Sequence, residues 1–127
     1  MYNILIVDDS RTIRAVISKT LEIADVPTAN VWEAGNGLEA LEILRKEWVD
    51  IVFADINMPE MNGIELVEQM STEGMLETVP VVIVSTEGSR QRIEELRSKG
   101  VKAYLRKPFA PESLKNVIDE ILETNHA

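Results

Sequence analysis

The sequence predicts a doubly wound α/β domain, and three observations carry that prediction. Five short runs rich in Val and Ile alternate with segments whose apolar residues recur at helical spacing. The first and third runs are almost wholly apolar, as strands buried on both faces must be, whereas the second and fifth are mixed. The 127 residues suffice for one domain with a proper core and are too few for two. Strand-then-helix alternation implies right-handed crossovers, and so a parallel sheet covered by helices on both faces.

The first strand is expected over 3–8, "NILIVD", and its helix should bury Ile13, Val16, Ile17, Leu21 and Ala24. The second, "ANVWEA" at 29–34, is broken by Asn30 and Glu33, which marks a sheet edge. Gly35 and Gly37 flank the start of the next helix, which offers Leu38, Leu41, Leu44 and Trp48. The third strand, "DIVFAD" at 50–55, runs into a loop ending at Gly63, then a helix with Ile64, Val67 and Met70 inward. The fourth, "PVVIVS" at 80–85, precedes a helix with Ile93 and Leu96 that stops at Gly100, with Val101 beyond. The fifth, "KAYLRK" at 102–107, alternates Ala103 and Leu105 with Lys102, Tyr104 and Arg106, a second edge. Pro111 suits the first turn of the last helix, which presents Leu114, Val117, Ile118, Ile121 and Leu122. Edges at strands two and five match the flavodoxin-like order 2-1-3-4-5 of a single (βα)5 domain.

Composition narrows the function. Apolar residues make up 45%, which favours a folded protein, and the absence of cysteine removes disulfides and thiolate chemistry. A net charge of −9 disfavours nonspecific binding to nucleic acid or anionic membrane. Basic residues form only short clusters, Arg90/Arg92 and Lys102/Arg106/Lys107. The start, "MYNILIVDDS", has no basic segment ahead of its short apolar run, so neither a signal peptide nor a membrane span is expected. The expectation is a soluble cytoplasmic protein.

In an open parallel sheet, ligands bind outside the carboxyl ends of the strands. Strand one ends there in Asp8 and Asp9, strand three in Asp55, strand four in Ser85 and Thr86, and strand five in Lys107-Pro108. Singly, each has a plain explanation. One aspartate, or Ser10, caps the first helix; Asp55 forms a turn; Ser85 or Thr86 caps the fourth helix; Lys107 is solvated. Jointly they place three carboxylates, two hydroxyls and an ammonium at one rim. Three carboxylates repel one another and suit a hard cation, Mg²⁺ by preference. A lysine and a hydroxyl beside them would meet phosphate oxygens. A carboxylate next to Mg²⁺ can attack phosphorus to give an aspartyl phosphate.

The motifs "VDDS", "ADINMPEMNG", "VSTEGS" and "YLRKPF", each at a strand end, resemble the receiver domains of bacterial two-component response regulators. The resemblance covers essentially the whole chain and is closest to single-domain chemotaxis regulators. It implies that Asp55 accepts the phosphoryl group from a histidine kinase. It implies one Mg²⁺, held by Asp9, Asp55 and the Asn57 backbone carbonyl, with Asp8 acting through water. Lys107 would pair with the phosphoryl oxygens, and the Lys107–Pro108 peptide would be cis. Ser85 would be the switch hydroxyl and Tyr104 the rotating aromatic, reshaping the face of helix four, strand five and helix five. Thr86, which would serve through its backbone or as the alternative hydroxyl, stands where a smaller residue is usual and would narrow access to the phosphoryl group. Asn57 and Glu87 match the pair that holds the attacking water in dephosphorylation.

The resemblance further implies a monomer and one receiver domain over 1–127 with no output domain. It implies a protein target such as a flagellar motor component, a phosphatase or a scaffold, and no turnover of a separate substrate. Three rivals are weaker. An aspartate-nucleophile phosphatase carries its nucleophile in an early Asp-x-Asp pair, whereas here the acidic pair comes first. A dinucleotide-binding domain needs glycines where this chain has "VDDSRT". An idle interaction module would lose the acceptor, an acidic partner or the lysine, and all are present.

Overall fold

The computed structural model describes residues 1–86 and 89–123. Its strands are β1 (Tyr2–Val7), β2 (Thr28–Ala34), β3 (Ile51–Ala54), β4 (Val81–Ser85) and β5 (Ala103–Arg106). Its α-helices are α1 (Arg11–Ile23), α2 (Gly37–Lys46), α3 (Gly63–Thr72), α4 (Arg90–Ser98) and α5 (Pro111–Ile118). A 3-10 turn, Met75–Glu77, follows α3, and Asp119–Glu123 continue α5 with π geometry. Every strand pair is parallel, in the order β2-β1-β3-β4-β5, as the placement of the polar runs predicts. Asn30 and Glu33 are exposed on one edge strand and Arg106 on the other.

Alternation along the strands divides the core in two. Leu5, Val7, Val52, Ala54, Val81 and Ile83 pack beneath α2, α3 and α4. Ile4, Ile6, Ile51, Phe53, Val82 and Val84 pack beneath α1 and α5. β3 and β4 are buried along their whole length. Burying each such Val, Ile or Phe side chain stabilises by roughly 1.5–3 kcal/mol, so the central strands anchor the domain.

Four helices start on a side-chain cap. Ser10, Asn36, Asn62 and Ser89 accept from the backbone N–H groups of Ile13, Glu39, Glu65 and Arg92. Glu65 also reaches back to the Asn62 N–H, closing a capping box. Pro111 opens α5 instead, as expected. The α4 cap is therefore Ser89, not Ser85 or Thr86, which leaves both of those hydroxyls at the end of β4.

Three apolar residues expected in the core lie outside it. Val16, Leu38 and Trp48 are 54%, 48% and 76% exposed. With about 100° between successive helical residues, Val16 falls at the margin of the stripe that Ile13, Ile17, Leu21 and Ala24 complete. Leu38, about 60° around α2 from the buried Leu41 and about 160° from the buried Ala40, likewise falls at the margin of its stripe. Trp48 follows an extended Glu47 (φ −116°, ψ 152°), so it has left the helical phase altogether. Among the described residues, no helix is long and apolar enough to cross a membrane.

Candidate functional site

The sheet's last ladder bonds set the site. The Asp8 N–H donates to the Ala34 carbonyl at 3.0 Å, Asp55 N–H to Val7 at 3.0 Å, and Lys107 N–H to Ser85 at 2.8 Å. Asp8, Asp55 and Lys107 thus each lie one position past a strand but still in register with a neighbour. Rigid sheet, rather than loop, fixes where these side chains begin.

The side chains converge. Asp8 is buried, at 2% exposure, although it carries a carboxylate. Its Oδ2 lies 3.0 Å from Lys107 Nζ, and its Oδ1 accepts from the Ser10 N–H at 2.9 Å. Asp55 Oδ2 lies 3.7 Å from the same ammonium, and its Oδ1 accepts from the Ile56 N–H at 2.8 Å. Asp9 is exposed at the mouth. Lys107 is thus drawn toward Asp8 more closely than toward Asp55. The Lys107–Pro108 peptide is cis.

Burial raises the Asp55 pKa above its ordinary value, and the negative charges of Asp8 and Asp9 push the same way. The Lys107 ammonium and the Ile56 N–H pull it down without offsetting the burial. Carboxylate oxygens of Asp8, Asp9 and Asp55 lie within 4.8 Å of one another. One ammonium against three carboxylates leaves a surplus of negative charge around oxygen donors. That donor set fits a hard divalent cation, some oxygens binding directly and others through water.

β4 separates its two terminal hydroxyl residues. Ser85 is buried at 1% exposure and shares strand parity with Ile83, on the face where Tyr104 packs. Thr86 is exposed and lines a cavity of about 330 Å³ with Ile13, Val16, Ile17, Thr20, Lys107, Pro108 and Phe109. The two residues therefore serve opposite sides of the sheet. Tyr104 is half-buried on β5, paired with Ile83 in register. Asn57 is exposed in the β3–α3 loop. Glu87, expected beside it, lies outside the described residues.

Two supports escape a motif-based reading. A Cβ on Gly63 would lie 2.2 Å from the Asp55 carbonyl oxygen, and the Gly63 N–H donates to Ile56 at 2.8 Å. The glycine lets α3 begin directly against the Asp55 backbone. Its signal in the sequence is a poor helix former at the first helical position, right after an Asn cap. Arg14, on α1, donates through its guanidinium to the Asp8 carbonyl and through Nε to Glu33 Oε1 at 2.8 Å. Only the spacing of a cation six residues past Asp8, one helical turn in, hinted at it.

Known proteins agree with this architecture. The response regulator receiver domain profile matches residues 4–119. A chemotaxis protein CheY homolog from Campylobacter jejuni is 40% identical over 122 residues, covering 95% of this chain and 92% of the relative. Chemotaxis protein CheY1 of Helicobacter pylori is 36% identical over 123 residues, covering 96% and 98%. The structure of Vibrio cholerae chemotaxis protein CheY4 superposes with a TM-score of 0.85 at 34% identity, covering 96% of this chain and 99% of that one. With the sheet order, the rim residues and the family profile in agreement along nearly its whole length, the chain belongs to the response regulator receiver domain family of two-component signalling.

Proposed function

We propose that Asp55 is the phosphoacceptor of a response regulator that works in chemotaxis or motility. The observation that carries this reading is its half-buried carboxylate, 3.7 Å from one ammonium and within 4.8 Å of two further carboxylates. An Asp55 oxygen attacks the phosphorus of a kinase phosphohistidine. The P–N bond breaks, and its electron pair stays on the imidazole, which takes a proton from water. Mg²⁺, when bound, neutralises charge on the transferring phosphoryl oxygens. Asp9, Asp55 and the Asn57 carbonyl would hold it, with Asp8 acting through water.

Lys107 already stands between Asp8 and Asp55, so a shift of less than a side-chain length brings it to the phosphoryl oxygens. Ser85 then bonds the phosphoryl group, and Tyr104, on the same face of the sheet, packs into the space released. The α4–β5–α5 face changes with it. Two packings a few kcal/mol apart, roughly, are enough for one covalent charge to tip the balance. Asn57 and Glu87 hold the attacking water, giving self-dephosphorylation well within hours; persistence of the phosphorylated form for hours in Mg²⁺ buffer contradicts this. Thr86 is bulkier than the usual residue at its position and tunes that rate.

The phosphodonor is a histidine kinase. The output is a protein target, such as a flagellar motor component, a phosphatase or a scaffold. The chain turns over no separate substrate. The reading is tested with a small-molecule phosphodonor and Mg²⁺, followed by intact-mass spectrometry. Wild type is expected to take up one phosphoryl group per chain and Asp55→Asn none. Equal uptake by Asp55→Asn overturns it.

A further inference from the structure

We propose that Arg14 is a positioning residue for the cation-binding carboxylate of Asp9, an inference that rests on the reading of the acidic cluster as a divalent-cation site. Asp8 is held at every other point. Its N–H bonds Ala34, its Oδ1 accepts from Ser10, and its Oδ2 faces Lys107. Its carbonyl lies one residue beyond the last ladder pair, Val7↔Ala34, where the sheet supplies no further donor. Arg14 supplies that donor from α1, and its side chain is 14% exposed.

The peptide between Asp8 and Asp9 is planar, so fixing the Asp8 carbonyl fixes the Asp9 N–H and the direction in which Asp9 leaves the sheet. Among the described residues, the Asp9 carboxylate has no hydrogen bond of its own that would aim it. Its direction is inherited from the backbone, and the backbone is clamped by Arg14. Glu33, on the edge strand β2, pairs with Nε at 2.8 Å and holds the guanidinium plane. It also cancels the charge of Arg14, so the clamp acts through geometry rather than through its field.

Electrostatics and positioning predict opposite signs. On charge alone, removing a cation near three carboxylates tightens Mg²⁺ binding. Loss of the clamp loosens it, as loss of an outer-shell partner commonly does, by about tenfold. The test is calorimetric titration of metal-free full-length protein with MgCl₂. Arg14→Met keeps the aliphatic stem and removes the donors, and thermal unfolding without metal checks that it folds. The expected result is a Kd for Mg²⁺ about tenfold higher than wild type. Arg14→Lys preserves the charge but not the fork that bridges Asp8 and Glu33, so it too is expected to bind more weakly, even if Arg14→Met fails to fold. Wild-type or tighter Mg²⁺ affinity in whichever of these variants folds overturns the proposal. Wild type binding no Mg²⁺ at all overturns the cation-site reading and the proposal together.

Discussion

On the helical flank, Arg45 of α2 meets Glu73, at the end of α3, at 2.7 Å, while Gln69 donates to the same carboxylate at 2.8 Å. At the carboxyl rim, Asp8 and Asp55 share the ammonium of Lys107, and Asp9 adds a third carboxylate to the same cluster. The first group is complete: the hydrogen bonds from Arg45 and Gln69 hold the Glu73 carboxyl down to about 2. The second is incomplete, and burial pushes the Asp55 carboxyl up. Similar residues, similarly close, are thus held in opposite states. A group that satisfies its own charges holds two helices together. A group that leaves charge over, in a pocket the sheet holds open, has something still to bind.

The sharpest way to break the second group without touching the first is at Gly63. In Gly63→Ala the new Cβ would meet the Asp55 carbonyl at 2.2 Å, and backbone cannot rotate aside. We expect a loss of about 1–3 kcal/mol in urea unfolding, together with weaker Mg²⁺ binding. Gly37→Ala meets the side chain of Met61, at 2.5 Å from its Cγ, rather than backbone, and should cost less in the same measurement.

Acid separates the two groups by sign. A raised folded-state pKa on Asp55 means a stabilising contribution that is present below its unfolded value of 3.8 and is lost as pH rises through the folded value. Asp55→Asn, neutral throughout, should therefore melt above wild type at neutral pH in chelator, with the difference closing as pH falls. Added Mg²⁺ should raise the wild-type midpoint and reverse the ranking. Glu73 runs the other way. Its contribution is present above 4.5 and is lost as pH falls from there toward about 2. Glu73→Gln should melt below wild type at neutral pH and converge with it in acid. The pair lies at the surface, where water and salt screen it, so this shift should be the smallest of the set. Mg²⁺ affinity in Glu73→Gln should equal wild type.

The rim was legible in the sequence because each of its residues ends a strand, and strand ends are marked by a change from apolar to polar. Asp8, Asp55, Ser85 and Lys107 were found that way, and the sheet order followed from the polar residues of β2 and β5. The choice of Ser85 over Thr86 followed from counting back from Lys107 without gaps and from strand alternation. Helix faces were less legible. A stripe of apolar residues is broader than the surface it buries, so Val16 and Leu38 read as core although both stand exposed at its margin. Trp48 was counted in a helix that had already ended, a boundary that no cap residue announced. Least visible were contacts between a strand end and the helix that follows it. A cation one turn into α1 and a glycine right after an Asn cap are local signs, but neither names the Asp8 carbonyl or the Asp55 backbone as its partner, because each contact depends on how the helix settles against the strand end.

The most direct test of the central contrast is a calorimetric titration with MgCl₂ of three proteins: wild type, Asp9→Asn and Glu73→Gln. If the surplus charge at the rim exists to hold a cation, wild type and Glu73→Gln bind one Mg²⁺ per chain with the same affinity, and Asp9→Asn binds it much more weakly. Equal affinity in wild type and Asp9→Asn, or no binding by wild type, would contradict the account.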